Sequence, residues 1–170
     1  MHVALLKPSD APQYRALMLQ AYEIAADAFT STPDERAAEP LSWWVKRIAP
    51  VQGESVVFGV FADTALVGGV ALEFSSKPKT RHKAHVMCMY VAPSVRGMGA
   101  GKALLAAVVN HADARPGTQV LTLTVTEGNA AAISLYRAAG FEVFGIEPMA
   151  ILTPSGFQSK VHMWCRIPMR

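Results

Sequence analysis

The stretch Val86-Met87-Cys88-Met89-Tyr90-Val91-Ala92-Pro93-Ser94-Val95-Arg96-Gly97-Met98-Gly99-Ala100-Gly101-Lys102 constrains this chain more than any other. An apolar run of strand character stops at Pro93. Alternating glycines then open a helical pattern in which Leu104, Leu105, Val108, Val109 and Ala112 share one face. Glycine lacks the Cβ that keeps an anion away from the backbone. The first-turn N–H groups of a helix have no intrahelical acceptor, and its dipole favours negative charge there. Strand, glycine turn and helix start, in that order, make a cradle for a phosphate or pyrophosphate.

Hydrophobic periodicity lays out the rest. Residues 3–6 read as a first strand. Ser9 or Asp10 caps a helix with Pro12 in its first turn and Tyr14, Leu17, Met18, Ala21 and Tyr22 on its inner face. Residues 30–40 read as a polar connection and 41–48 as a second helix ending before Pro50. Residues 55–61 and 66–74 form a hairpin, 75–83 a basic loop and 84–91 a further strand. After the glycine helix over 101–113 come a strand at 120–125 and a helix at 129–139 closed by Gly140. Two last strands follow at 141–146 and 157–167. The order β-α-α-β-β-β-α-β-α-β-β predicts an α/β (α+β) fold, a mixed, mostly antiparallel central sheet of about six or seven strands with helices on both faces.

Composition narrows the class. The 170 residues suit a single domain over 1–170, and 51% hydrophobic residues can bury a sizeable core. The net charge of +3 is mild, and no stacking aromatics accompany the basic loop, so no nucleic-acid partner is expected. Cys88 and Cys165 form no CxxC pair, which predicts buried free thiols, no metal site and a reducing, cytoplasmic setting. The short apolar start before Lys7-Pro8 is no signal peptide, and no run reaches membrane-spanning length, so no membrane partner is expected.

Spacing separates the users of phosphate cradles. A Walker A loop would need glycine at position 96, which is Arg96, and a hydroxyl after Lys102, where Ala103 stands. A dinucleotide fingerprint would need its last glycine where Lys102 sits. What matches is R-x-x-G-x-G, carried by Arg96, Gly99 and Gly101. A second pattern, N-x-x-A-x-x-x-Y-x-x-x-G-F, is carried by Asn129, Ala132, Tyr136, Gly140 and Phe141. Taken alone, Asn129 is a helix cap and Tyr136 a core residue with its hydroxyl at the edge; with Ala132 they fall on one helix face.

Together the two patterns resemble motifs A and B of the GCN5-related N-acetyltransferase (GNAT) family. They cover about a third of the chain, and the element order fits over nearly its whole length. The resemblance implies acetyl-CoA as cosubstrate, with its pyrophosphate on the loop Arg96, Gly97, Met98, Gly99, Ala100, Gly101 and Lys102. It implies that the strand ending in Met89, Tyr90 and Val91 splays from its neighbour and offers backbone N–H groups to the pantetheine and the thioester carbonyl. It further implies that Asn129 and Ala132 flank the pantetheine arm, and that Tyr136 donates a proton to the departing thiolate. The expected reaction is direct attack by the primary amine of an acceptor, without a metal. A non-catalytic acyl-CoA sensor on the same fold is the alternative.

An amine of pKa ~10.4 arrives mostly protonated at neutral pH and needs a base. His85 is the first candidate, on the strand leading to the cofactor and with the parity of Met87, Met89 and Val91. Glu73, near the end of the preceding strand, is the second, and a water relay the third. In the histone-acetylating relatives that the resemblance brings in, a carboxylate occupies about this part of the strand, so histidine here departs from that branch. The basic loop, Lys77 to Lys83, reads as solvated or as attracting an acidic acceptor or the 3′-phosphate. By analogy one of Trp43 and Trp44 faces the core and the other the acceptor pocket, with residues 148–163 as the opposite wall. Dimerisation is possible; the acceptor stays open.

Overall fold

A computed structural model describes residues 1–167. Its centre is one sheet of β1 (His2–Leu5), β2 (Ser55–Ala62), β3 (Ala65–Phe74), β4 (Lys83–Val91), β5 (Val120–Thr126), β6 (Glu142–Thr153) and β7 (Gly156–Arg166), in the spatial order β1-β2-β3-β4-β5-β7-β6. Every neighbouring pair is antiparallel except β4 with β5. The helices are α1 (Ala11–Ile24), α2 (Pro33–Ala37), α3 (Leu41–Ile48), α4 (Ala100–Ala114) and α5 (Ala130–Ala138). The mixed, mostly antiparallel sheet expected from the sequence is the sheet observed.

Two apolar layers sandwich it. Under α4 and α5, Leu104, Leu105, Val108, Tyr136 and Phe141 pack on Val70, Leu72, Val86, Leu121 and Leu123. Under α1 and α3, Tyr14, Leu17, Met18 and Trp44 pack on Val57, Leu66, Ala71 and Tyr90. Each fully buried aliphatic side chain contributes about 1.5–3 kcal/mol, so both layers are needed to hold the sheet against chain entropy. No helix among the described residues is long and apolar enough to cross a membrane.

Two segments differ from expectation. The polar connection over 30–40 contains α2, because Thr32 accepts a hydrogen bond from the Glu35 amide while the Glu35 carboxylate accepts one from the Thr32 amide. This reciprocal cap satisfies donors that so short a helix cannot pair internally. The strand expected to stop at 146 continues to Thr153, through register shifts after Val143 and Glu147. As the sheet's outermost strand it tolerates Pro148, whose missing N–H breaks no inner ladder.

Candidate active site

The site begins where the parallel pair comes apart. Pairing of β4 with β5 runs from Lys83↔Val120 to Val86↔Leu123 and ends there, although β4 continues to Val91 and β5 to Thr126. On its other side β4 carries an extra residue against β3: Tyr90 faces Gly69 and Met87 faces Ala71. The bulge sits at Cys88, whose φ of 53° lies in the left-handed region that side chains seldom adopt. Bending at the bulge carries the end of β4 away from β5.

The bulge also exchanges faces. Ala84 and Val86 pack in the α4 layer, whereas Tyr90 packs in the α1 layer. His85 therefore keeps the parity of Met87 but not that of Met89, which packs with the α4 layer. The uniform alternation expected from His85 to Val91 stops at Cys88, because one inserted residue reverses every side chain beyond it.

A cleft of about 390 Å³ opens at the divergence. Met87, Cys88 and Met89 form one wall, Thr124, Val125 and Thr126 the other, and Asn129, Ala132, Leu135 and Tyr136 of α5 close one end. Tyr22, Phe29, Arg36 and Arg47 reach in from the α1 layer, and His85 and Lys160 complete the lining. The expected residues His85, Met89, Asn129, Ala132 and Tyr136 are thus brought together.

The glycine loop lies at the start of α4. Gly97 and Gly99 have φ of 76° and 85°, and a Cβ on either would meet nothing within 4 Å. These two glycines are required by backbone conformation and leave the loop's surface open. Gly101 is needed for space, since its Cβ would come within 3.0 Å of Leu135 Cδ2 and 3.4 Å of Met89 Cε. Ala100 is buried, while Met98 and Lys102 are exposed. Arg96 turns back on the strand, its Nε donating to the Val91 carbonyl at 3.0 Å and its guanidinium lying 5.8 Å from the Tyr90 ring centre. The open amide surface beside the exposed turn fits a pyrophosphate.

Asn129 caps α5: its Oδ1 accepts from the Ala132 amide at 3.2 Å, leaving the side-chain amide nitrogen as a donor on the cleft. Tyr136 packs edge-on against Phe141, and burial pushes its phenol up to about 12. His85 Nδ1 lies 2.9 Å from Thr122 Oγ1. Burial pushes the imidazole below its ordinary value; Glu73 opposes the shift, and His162 and Lys160 add to it.

Several expectations are corrected. Glu73 does not reach the cleft; it is exposed, opposite His85, and lines an adjoining hollow with Lys77, Lys83 and His85. Tyr90 and Val91, expected to act through their backbone amides, keep their side chains out of the cleft lining, Tyr90 buried in the α1 layer and Val91 half-buried, which leaves that backbone expectation unchanged. Neither tryptophan lines the cleft: Trp44 is fully buried against Tyr14, and Trp43 carries the guanidiniums of Arg36 and Arg47 at 4.7 and 5.0 Å from its ring centre. From residues 148–163, Lys160 alone is among the cleft-lining side chains. The two thiols are only partly buried, and Cys88 opens onto the cleft, since the bulge turns an apolar strand position outward.

Sequence reasoning missed Arg36, Arg47, Cys88 and Lys160. Arg36 follows the Thr32–Glu35 capping pattern, which could have marked its helix; the others carry no local signal.

Comparison with known proteins places this geometry. The acetyltransferase (GNAT) family model matches residues 18–141. An L-methionine sulfoximine/L-methionine sulfone acetyltransferase of Pseudomonas aeruginosa is 42% identical over 60 residues, a match spanning 35% of this chain and about a third (34%) of that protein. Among solved structures, ribosomal-protein-alanine N-acetyltransferase from Brucella melitensis superposes with a TM-score of 0.80 at 24% identity, covering 98% of this chain and 99% of that one. A GNAT superfamily phosphinothricin acetyltransferase from Sinorhizobium meliloti, in complex with acetyl-CoA, superposes with a TM-score of 0.84 at 19% identity, covering 98% and 88%. With the family model spanning the glycine cradle, the diverging strands and the Asn129–Tyr136 helix, the chain belongs to the acetyltransferase (GNAT) family.

Proposed function

We propose that the cleft transfers the acetyl group of acetyl-CoA to a primary amine by direct attack. The observation that carries this reading is the end of β4–β5 pairing at Val86↔Leu123, which opens a slot with the glycine cradle nearby and Tyr136 on its wall. The amides of residues 97–102 would hold the pyrophosphate, and the free donor of Asn129 would face the pantetheine arm. Bound acetyl-CoA supplies a thioester, the electrophile for the amine. The β5-facing amides of β4 beyond Val86 have no strand partner and are fixed donors for the thioester carbonyl.

His85 is the base. The Thr122 hydroxyl has the Ala84 carbonyl as an acceptor at 3.5 Å, so Nδ1 is assigned as the proton donor to Thr122 and Nε2 as the acceptor. Tyr136 acts by hydrogen bonding. At about 12 it is a weaker acid than a thiol of about 8.5, so the phenol stays protonated and stabilises the departing thiolate as a donor.

The test is release of free CoA thiol from acetyl-CoA across a panel of primary amines, with Tyr136→Phe as control. Turnover that the variant loses while still binding acetyl-CoA supports the reading. A protein that binds acetyl-CoA and turns over no amine is instead the sensor.

A further inference from the structure

The acceptor side of the cleft carries positive charge, and the carboxylates nearest to it stand outside the lining. Arg36, Arg47 and Lys160 line it, and no carboxylate does among the described residues. Arg36 makes one long ion pair with Glu39, at 3.9 Å, and Glu147 lies beside Lys160, but neither carboxylate is part of the lining and Arg47 has no ion pair among the described residues. Arg36 Nη2 donates to Ser31 Oγ at 2.7 Å, and its Nε is buried without a partner. Arg47 Nη2 donates to Cys88 Sγ at 3.3 Å, and the phenols of Tyr14 and Tyr22 lie near its guanidinium. Both guanidiniums stack on Trp43, itself wedged edge-on against the fully buried Trp44. Stacking fixes the planes of two forks that would otherwise sample many rotamers.

A guanidinium drawn from water without a counter-anion is costly, and a planar fork matches a carboxylate best. Two such forks held on one indole, one with an unsatisfied nitrogen, are a seat prepared for an anion. The cofactor's phosphates have their own cradle at α4, beneath the opposite face of the sheet from α1 and α3. The anion seated at the arginines is therefore the acceptor's.

We propose that Arg36 and Arg47, ordered by Trp43, bind a carboxylate of the acceptor, and that the acceptor is a free α-amino acid or a close analogue. The short reach follows from Arg47: it touches Cys88 at the bulge, where β4 leaves β5 and where the thioester lies if the proposed function holds. A carboxylate at Arg47 thus places the amine only a short link away. A bare polyamine meets unmatched like charge, and a peptide without an acidic N-terminal side chain lacks the anion at that distance.

The inference rests on the acetyltransferase reading, and two readouts separate them. Equilibrium binding of α-amino acids and their carboxamides is followed by Trp43 fluorescence in the CoA-bound protein, and thiol release is followed with the same compounds. Acids are expected to bind and turn over with an advantage of about tenfold or more over their amides, the usual worth of a charge-assisted contact. Arg47→Gln and Arg36→Gln should erase that advantage while leaving acetyl-CoA affinity unchanged; Arg47→Lys should restore part of it.

Amides equal to acids in the wild-type protein would overturn the proposal, with no variant needed, and leave the acetyltransferase standing. Acids that bind at the arginines with no thiol released would keep the seat and overturn the reaction. Preference for a dipeptide with an N-terminal acidic side chain over free amino acids would move the carboxylate to a peptide and overturn the free amino acid. Equal weakening of acetyl-CoA in both glutamine variants would assign the arginines to the cofactor and overturn the proposal.

Discussion

His85 and Thr122 meet across the last paired stretch of β4 and β5, Nδ1 to Oγ1 at 2.9 Å, one register position before the pairing ends at Val86↔Leu123. The hydrogen bond fixes the ring at the mouth of the cleft and orients its second nitrogen. Burial lowers the imidazole pKa, so the neutral, proton-accepting form persists below the ordinary value of about 6.5. The acidic limb of kcat/KM is therefore expected below about 6.5, with activity falling as pH drops through the lowered value. His85→Gln should abolish that limb and reduce the plateau about a hundredfold, the lower range for a lost general base. The same shift bears on stability. Below about 6.5 the unfolded chain takes up the proton first, so folding stability falls with pH until the folded pKa is passed. His85→Gln should flatten that part of the curve in denaturant titrations at stepped pH.

Glu73 provides the contrasting case. Its carboxylate raises the His85 pKa but lines the adjoining hollow rather than the cleft. Glu73→Gln should leave the plateau rate within about twofold, as for a solvated surface charge, and move the acidic limb to still lower pH. A collapse of the plateau in a pH–rate series would return Glu73 to the reaction.

Burial pushes the Tyr136 phenol up to about 12, above any usable assay pH. No alkaline limb of kcat should arise from it, and none should disappear in Tyr136→Phe. Loss of one donor to a developing anion costs about 10² in kcat or more. Calorimetric titration with acetyl-CoA should show little change, since the packing on Phe141 survives.

Gly99 holds φ of 85° at the entry to α4. Gly99→Ala meets no atom within 4 Å, so its cost is conformational and should be about 1 kcal/mol of folding stability. Gly101→Val adds bulk against Leu135 and Met89, from the closed end and one wall of the slot, and should weaken acetyl-CoA binding more than it lowers stability. Thermal melts with and without acetyl-CoA separate the two effects.

Asn129→Ala removes the cap on α5 and should cost about 1 kcal/mol. Asn129→Asp keeps the accepting oxygen but loses the donor facing the cleft. It should retain thermal stability while weakening acetyl-CoA, which denaturation and binding measurements read independently.

What the sequence determined by itself was local. Glycines at 97 and 99 announce a left-handed turn because few other residues adopt it cheaply, and Asn129 announces a helix start because its side chain satisfies an amide three residues on. Both signals need only neighbours along the chain, so the cradle, the capped helix and the alternation of strands that builds the sheet were legible. The Thr32–Glu35 box was equally local, and its helix was passed over because it lay in a polar stretch that looked like a loop.

Tertiary structure decided the rest. The bulge at Cys88 depends on how β4 registers against β3, which no alternation within β4 reveals, and it separated Met89 from the face of His85. The cleft's charge depends on Arg36, Arg47 and Lys160, carried by two helices of the α1 layer and a strand beyond β5. Backbone conformation is set by sterics within a few residues, whereas a site's chemistry is set by side chains that only a packed sheet brings within reach of one another.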